Sequence, residues 1–238
     1  IQGEYKPIET VTLTAGGRFD SEKTSSITDK NSEFSPKIGV SFRPLEQTSF
    51  RLSAGRGFRA PTIGERFASL RFNGLTVESN PTLNPERGWS FEVGGTHTIT
   101  LANEPWKFDV ALFQNEFTNM IEPQLQPQTA RIRFVNVTRA RIQGAEVNIG
   151  GWLPGKLAGL EAALTAMMPL NVDSNTVLKY RSKFLVQTRL MVPVGAFQVQ
   201  ADYRFQSRVE TIDELLAVLR IPDVDARVPI HVLDLRLI

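Results

Sequence analysis

At 238 residues the chain is long enough for one or two domains, and 27 Lys+Arg against 25 Asp+Glu leaves a net charge of only +2. Charges mixed this evenly argue against a nucleic-acid binder, which gathers its basic residues into one patch. The absence of cysteine removes disulfides, thiolate metal sites and a cysteine nucleophile together.

Period-two alternation dominates the chain from its start. Over 11–20, Val11, Leu13, Ala15 and Phe19 oppose Thr12, Thr14, Arg18 and Asp20. Over 36–43, Ile38, Val40 and Phe42 oppose Lys37, Ser41 and Arg43; over 49–55, Phe50, Leu52 and Ala54 oppose Arg51 and Ser53. Segments 89–99 (Trp89, Phe91, Val93 against Glu92, Thr96, Thr98) and 106–113 (Trp106, Phe108, Val110, Leu112 against Lys107, Asp109) continue the pattern. So do 141–153, 183–192, 197–206 and 231–237. Segment 157–172 is rich in Ala, Leu and Met, which favour helix. It also alternates and lies between strands, so it is read as a strand, the tenth.

One stretch suggests a different chemistry. AGRGFRAPT (54–62) contains Gly55-x-Gly57-x-x-Ala60, the spacing of a dinucleotide-binding turn. Such a turn needs a helix opening at the third small residue, but Pro61 biases Ala60 away from helical angles. No parallel strand–helix–strand unit follows.

The connections are informative. Residues 21–35, 60–87, 121–131, 173–181 and 209–229 read as long loops, while PLEQT, LANEP, LPGK and PVGA read as tight turns. Long and short connections alternate, so all long loops fall at one end of the strands. Loops beyond about 12–15 residues are uncommon inside compact domains. No apolar run reaches the ~20 residues of a membrane-spanning helix, and no signal peptide is evident, but neither test detects a membrane barrel. A continuous apolar face needs a cover, and the opposite face, with Arg18, Lys37, Arg51, Glu92, Asp109, Glu146, Arg189, Asp202, Arg204 and Arg236, is too polar for a core. The fold class expected is all-β: an antiparallel up-and-down transmembrane β-barrel, present in part as about ten strands, with lipid outside and water or a hydrated plug inside. A soluble propeller should repeat every ~40–50 residues with a recurring signature, and none is found.

SPKIGVSFRPLEQTSFRLSAGRGFRAPTIGERF, NPTLNPERGWSFEVGG (80–95), FDVALFQNEFTNMI (108–121), FVNVTRARIQGAEVNI (134–149) and VPIHVLDLRL (228–237) together resemble the β-barrel of TonB-dependent outer-membrane receptors. The resemblance covers nearly the whole chain, and it makes GRGFRAPT the extracellular end of a barrel strand entering a long loop. It implies residues 1–238 to be a partial barrel domain, roughly the eleventh to twentieth strands of about 22. The plug, the TonB-contacting segment, the last two strands and the terminal aromatic would then be absent. Alone, such a sheet would be about 45–50 Å wide with two open edges, and is expected to aggregate or need detergent.

The resemblance also implies integral residence in a bacterial outer membrane and energised uptake of a scarce ligand, most often a ferric siderophore, with cobalamin, haem and oligosaccharides as alternatives. Its partners would be outer-membrane lipid, the TonB complex acting through the plug, and a small extracellular ligand; no nucleic acid is implied. The alternative reading is a passive or adhesive barrel without a plug. No cofactor is expected, and no enzyme, because no nucleophile, base and orienting group share one end of the sheet.

The ligand-binding candidates are polar residues at the long-loop end: Arg56, Arg59, Arg66, Arg71 and Asn73 after GRGFRAP, and Arg131 and Arg133 beside MIEPQLQPQ. Guanidinium forks match carboxylate, catecholate or phosphate, although pairing with wall carboxylates is the competing use of each. His97 and His231 fall on the lipid-side alternation, near expected periplasmic strand ends, and are not expected to bind metal. Asp223 and Asp225 suit a solvated turn better than a Ca²⁺ site. Thr62-Ile-Gly-Glu65 has capping-box spacing, so a short helix is expected over 63–70, with a further helical turn or two over 213–220.

Overall fold

A computed structural model of the chain describes residues 1–23, 30–72, 75–126, 128–212 and 227–238. Among these the strands are β1 (Gln2–Ile8), β2 (Val11–Lys23), β3 (Lys30–Leu45), β4 (Thr48–Arg59), β5 (Leu70–Phe72), β6 (Leu75–Glu78), β7 (Glu86–Leu101) and β8 (Glu104–Gln126). They continue with β9 (Arg131–Trp152), β10 (Gly159–Asn171), β11 (Thr176–Val177), β12 (Phe184–Val194), β13 (Phe197–Gln206) and β14 (Ile230–Leu237). One helix, α1 (Ile63–Phe67), lies between β4 and β5. Asn73, the segment 213–220, Asp223 and Asp225 lie outside the described residues.

The strands form one sheet with its main path in chain order, β1-β2-β3-β4-β7-β8-β9-β10-β12-β13-β14. Every neighbour on that path is antiparallel, and the sheet is open, with β1 and β14 at its edges. The tight turns are shaped by local backbone preference. Ala102 and Asn103 both have positive φ (48° and 68°) between β7 and β8, as a type I′ turn requires. Gly195 alone takes positive φ (63°) between β12 and β13, where its missing Cβ removes the steric penalty.

All ten expected strands are present, and the structure adds β1, whose register places Tyr5 opposite Leu13. It was hidden because QGEYKPI offers alternation only Tyr5 and Ile8 as large apolar residues.

Four expected loops contain strand residues, with β5, β6 and the start of β7 inside 60–87 and β11 inside 173–181. Residues 21–23 and 30–35 belong to β2 and β3, and 121–126 belong to β8. The β8–β9 ladder runs from Trp106↔Gly151 up to Gln126↔Arg131. A tilted strand needs only about 9–11 residues to span a bilayer, so roughly half of β8, with its 23 residues, stands beyond the apolar band. There neither face must be apolar, and the alternation fades although the pairing continues.

The two faces have opposite chemistry. Leu52, Trp89, Phe91, Val93, Leu112, Leu164, Leu190, Leu233 and Leu235 stand exposed on one side, Leu235 at 70%. An exposed apolar face this continuous needs a nonaqueous neighbour. On the other side the charges pair across strands. Arg51 donates from Nε to Glu92 (2.7 Å) and from both Nη atoms to Asp109 (2.6 and 3.0 Å), and Thr96 donates to the same carboxylate at 2.5 Å. Farther along the sheet Arg189 donates to Asp202 (2.7 Å) and Glu161 (3.3 Å), and Arg204 donates to Asp234 (3.1 Å). Polar groups inside and apolar groups outside are the arrangement of a barrel wall.

Candidate functional site at the long-loop end

The buried apolar residues lie mostly where the long connections meet. Leu83, Met120, Ile121, Ala140 and Leu178 are buried there, and Phe117 and Ile142 pack against the Met120–Ala140–Leu178 cluster. Residues 60–72 and 75–85 form a collar here, joined to β9 through β6. The capping box predicted from sequence is formed: Thr62 Oγ1 accepts from the Glu65 backbone N–H at 3.2 Å, while the Glu65 carboxylate accepts from the Thr62 N–H at 2.7 Å. The helix is three residues shorter than expected, because Ala68 turns to extended angles and the chain enters β5.

Polar contacts fasten the collar to β8 and β9. β6 pairs in parallel with β9 over Thr76↔Arg131 to Glu78↔Arg133. Asn80, 7% exposed, donates to the Phe134 carbonyl at 2.7 Å. Asn136 Oδ1 accepts from the Asn84 N–H at 2.9 Å, and its Nδ2 donates to the carbonyls of Asn84 (3.0 Å) and Asn119 (2.7 Å). Glu86 accepts from the Ile121 N–H at 2.6 Å. A connection that looks like free loop in the sequence is thus hydrogen-bonded at both ends. Asn80, Asn84, Glu86 and Asn136 were not singled out in the sequence. The two Asn-Pro steps of NPTLNPE mark turns but carry no information about partners about 50 positions away.

The described ligand candidates occupy five different settings. Arg56 and Arg87 stand on the apolar side by alternation, opposite Trp89 and Phe58, yet both close on the buried Glu33 carboxylate (3.2 and 2.8 Å). The β3–β4 register stops at Lys37↔Gly55, and Arg56 also donates to the Phe34 carbonyl above it at 3.2 Å. Arg59 joins two carboxylates, donating to Glu86 at 2.7 and 2.8 Å and to Glu65 at 2.9 and 3.0 Å. Arg131 pairs with Glu78. Arg71 is exposed in β5 and has no ion-pair partner among the described residues.

Arg66 and Arg133 differ from all of these. Arg66 is 7% exposed and donates from Nη2 to the Leu83 carbonyl at 2.8 Å, and Arg133 donates from Nη2 to Asn80 Oδ1 at 3.2 Å. The Nε of each is buried without a partner among the described residues.

The Glu65 carboxyl is subject to opposing effects. Burial pushes it up, and the hydrogen bonds from Arg59 and from the Thr62 N–H and hydroxyl outweigh burial, holding it below the usual carboxylate range.

The histidines sit apart from the collar. His97 lies at the short-turn end, its Nδ1 2.8 Å from Thr48 Oγ1. His231 begins β14 opposite Phe205, directly after the long connection from β13. It therefore belongs to the long-loop end, a correction to the expected periplasmic position. Its ring faces the apolar side, 2.9 Å from the Tyr203 hydroxyl. No group of three or more His, Cys, Asp or Glu among the described residues could hold a metal ion. GRGFR is paired strand up to Arg59, and α1 starts only at Ile63, so no phosphate-cradling turn forms.

The sequence model of the TonB dependent receptor-like, beta-barrel family matches residues 1–212. The chain belongs to that family. It is therefore an outer-membrane β-barrel protein, and the family is one of receptors and transporters rather than enzymes. Beyond the matched residues, β14 continues the sheet without a break in its order. The chain is 26% identical to the hemin receptor of Yersinia pestis over 155 residues, 58% of this chain and 23% of that one. It superimposes on the ferric enterobactin receptor PfeA of Pseudomonas aeruginosa with a TM-score of 0.66 at 18% identity, covering 87% of this chain and 31% of that one. Against the copper transporter OprC the TM-score is 0.70 at 16% identity, covering 89% and 34%. These two likenesses show a shared fold. The chain spans less than a quarter of the length of the curated relatives it matches.

Proposed function

We propose that this chain is the ligand-facing wall of a receptor for energised uptake of a ferric siderophore, with a plug and the TonB complex completing the machine. The observation that carries the ligand class is a set of guanidiniums at the long-loop end, where the only imidazole, His231, faces the apolar side beside Tyr203. Among the described residues Arg66, Arg71 and Arg133 keep donors free of carboxylates there, and Arg forks suit catecholate and carboxylate oxygens. Haem iron is commonly held by His, and copper prefers imidazole or sulfur. Here one histidine lies at the opposite end, and the other points to the apolar side in contact with Tyr203.

The test is uptake of radiolabelled iron by cells expressing the receptor, using catecholate, hydroxamate and carboxylate chelates beside haem and labelled cobalamin. Uptake of an anionic ferric chelate, abolished by a protonophore and reduced by Arg71→Ala, is the expected result. Preferential haem or cobalamin uptake overturns the ligand class. Uptake indifferent to the proton gradient would instead establish a passive barrel.

A further inference from the structure

The free-standing cations of the collar carry an inference that goes beyond transport. Arg66 is nine-tenths buried, and among the described residues its side chain's only hydrogen bond is to a neutral carbonyl. Burying a guanidinium without a counter-charge is costly, and deep burial is normally accompanied by an anion. Among the described residues Glu65 and Glu86 pair with Arg59 and Glu78 with Arg131, and none of these three carboxylates forms an ion pair with Arg66 or Arg133. Arg133 repeats the pattern, with Nη2 on the neutral Asn80 amide oxygen and Nε buried and open.

Both guanidiniums hold the same short turn. Arg133 grips Asn80 at its start and Arg66 grips Leu83 at its end, and the turn is closed by the Leu83 N–H to the Asn80 carbonyl at 3.3 Å. Thr82 donates its hydroxyl to Asn80 Oδ1 at 2.7 Å, so that oxygen already accepts two bonds. The unmet demand is therefore for acceptors and negative charge. A buried water could satisfy one N–H but would leave the charge uncompensated.

We infer that the turn 80–83, flanked by Arg66 and Arg133, is an oxyanion-binding site whose occupant is a carboxylate or phosphate not contained in this chain's described residues. Binding there locks the collar onto β9, because the same two side chains hold the turn that carries Asn80 to the Phe134 carbonyl. The inference does not depend on which ligand is transported, and its readout is collar order rather than uptake.

Hydrogen–deuterium exchange on the receptor in outer-membrane vesicles tests it, with inorganic phosphate and citrate as probes against chloride at matched ionic strength. Amides of 75–86 should exchange about ten-fold more slowly at ten times the dissociation constant of the bound anion. Phosphate alone protecting identifies a free inorganic anion as occupant, and citrate alone identifies a carboxylate source; either supports the site. The effect should vanish in Arg66→Gln and Arg133→Gln and survive in part in Arg66→Lys, which keeps the charge. Arg66→Gln is shown to fold by wall amides of β7 to β10 that exchange in chloride as slowly as those of the wild type. No anion-dependent protection in the wild type, or protection that persists in either glutamine variant, overturns the inference.

Discussion

The membrane-spanning half of the sheet and the collar above it are built on different physical principles. In the wall, strand order and register follow from one requirement, an apolar face toward lipid and a charged face inward. Any residue of the right polarity meets it at most positions, and the inward charges pair with whichever opposite charge lies across the ladder, as Arg189 does with Asp202. In the collar no solvent imposes a pattern. Residues 60–72 and 75–85 are held by particular donors meeting particular acceptors, such as Asn136 with Asn84, around a small buried cluster. The wall should therefore tolerate most polarity-conserving changes and fail only where backbone packing is tight. The collar should fail at single polar groups without affecting the wall.

Glycines give the sharpest test of this contrast. A Cβ at Gly144 would lie 2.2 Å from the Ala166 carbonyl and 2.7 Å from the Phe113 ring, whereas one at Gly57, where β4 approaches the collar, would meet nothing within 4 Å. Gly144→Ala should destabilise the barrel by about 3 kcal/mol, the upper range for forced overpacking. It should appear as a lower urea midpoint or lost heat-modifiable mobility on gels. Gly57→Ala should stay within about 0.5 kcal/mol of wild type. Equal effects would mean that tight backbone packing is not what limits the wall.

The same contrast explains what could be read from the sequence. Ten strands and the end carrying the long connections follow from alternation, because lipid on one face imposes period two. The upper parts of β2, β3 and β8 do not, because beyond the bilayer Ser21, Ser32 and Glu122 are as acceptable as Leu. The capping box at Thr62 was legible because its partners are three residues apart, while the Arg59–Glu86 and Arg131–Glu78 pairs were not, because chain distance hides them. Arginines at the mouth could be found by residue type. Whether each was already neutralised depended on Glu33, Glu65, Glu78 and Glu86, whose positions only the fold supplies.

Asn136 tests the collar by the reverse route. Asn136→Ala removes two hydrogen bonds between the collar and the wall, both to Asn84, and one within the wall, to Asn119. With a net contribution of about 1 kcal/mol each, exchange of the 76–86 amides should rise about ten- to a hundred-fold while the urea midpoint of the barrel stays unchanged. A fall in that midpoint would show that the collar and the wall unfold together.

Acid is the mildest way to separate the two regions. Glu65's folded pKa is depressed below its unfolded value of about 4.3. Its contribution is therefore fully present above that value and is lost as pH falls through the folded pKa. Protonation weakens both the capping box and the Arg59 bridge, which link α1 to the β4 end and, through Glu86, to Ile121. Collar amides should begin to exchange faster, relative to intrinsic rates, below about pH 4, by no more than the ~1 kcal/mol typical of a lost cap. In Glu65→Gln, which keeps an acceptor but has no titrating proton, this step should disappear. If the acid step persists there, Glu65 is not the group that links acid to the collar.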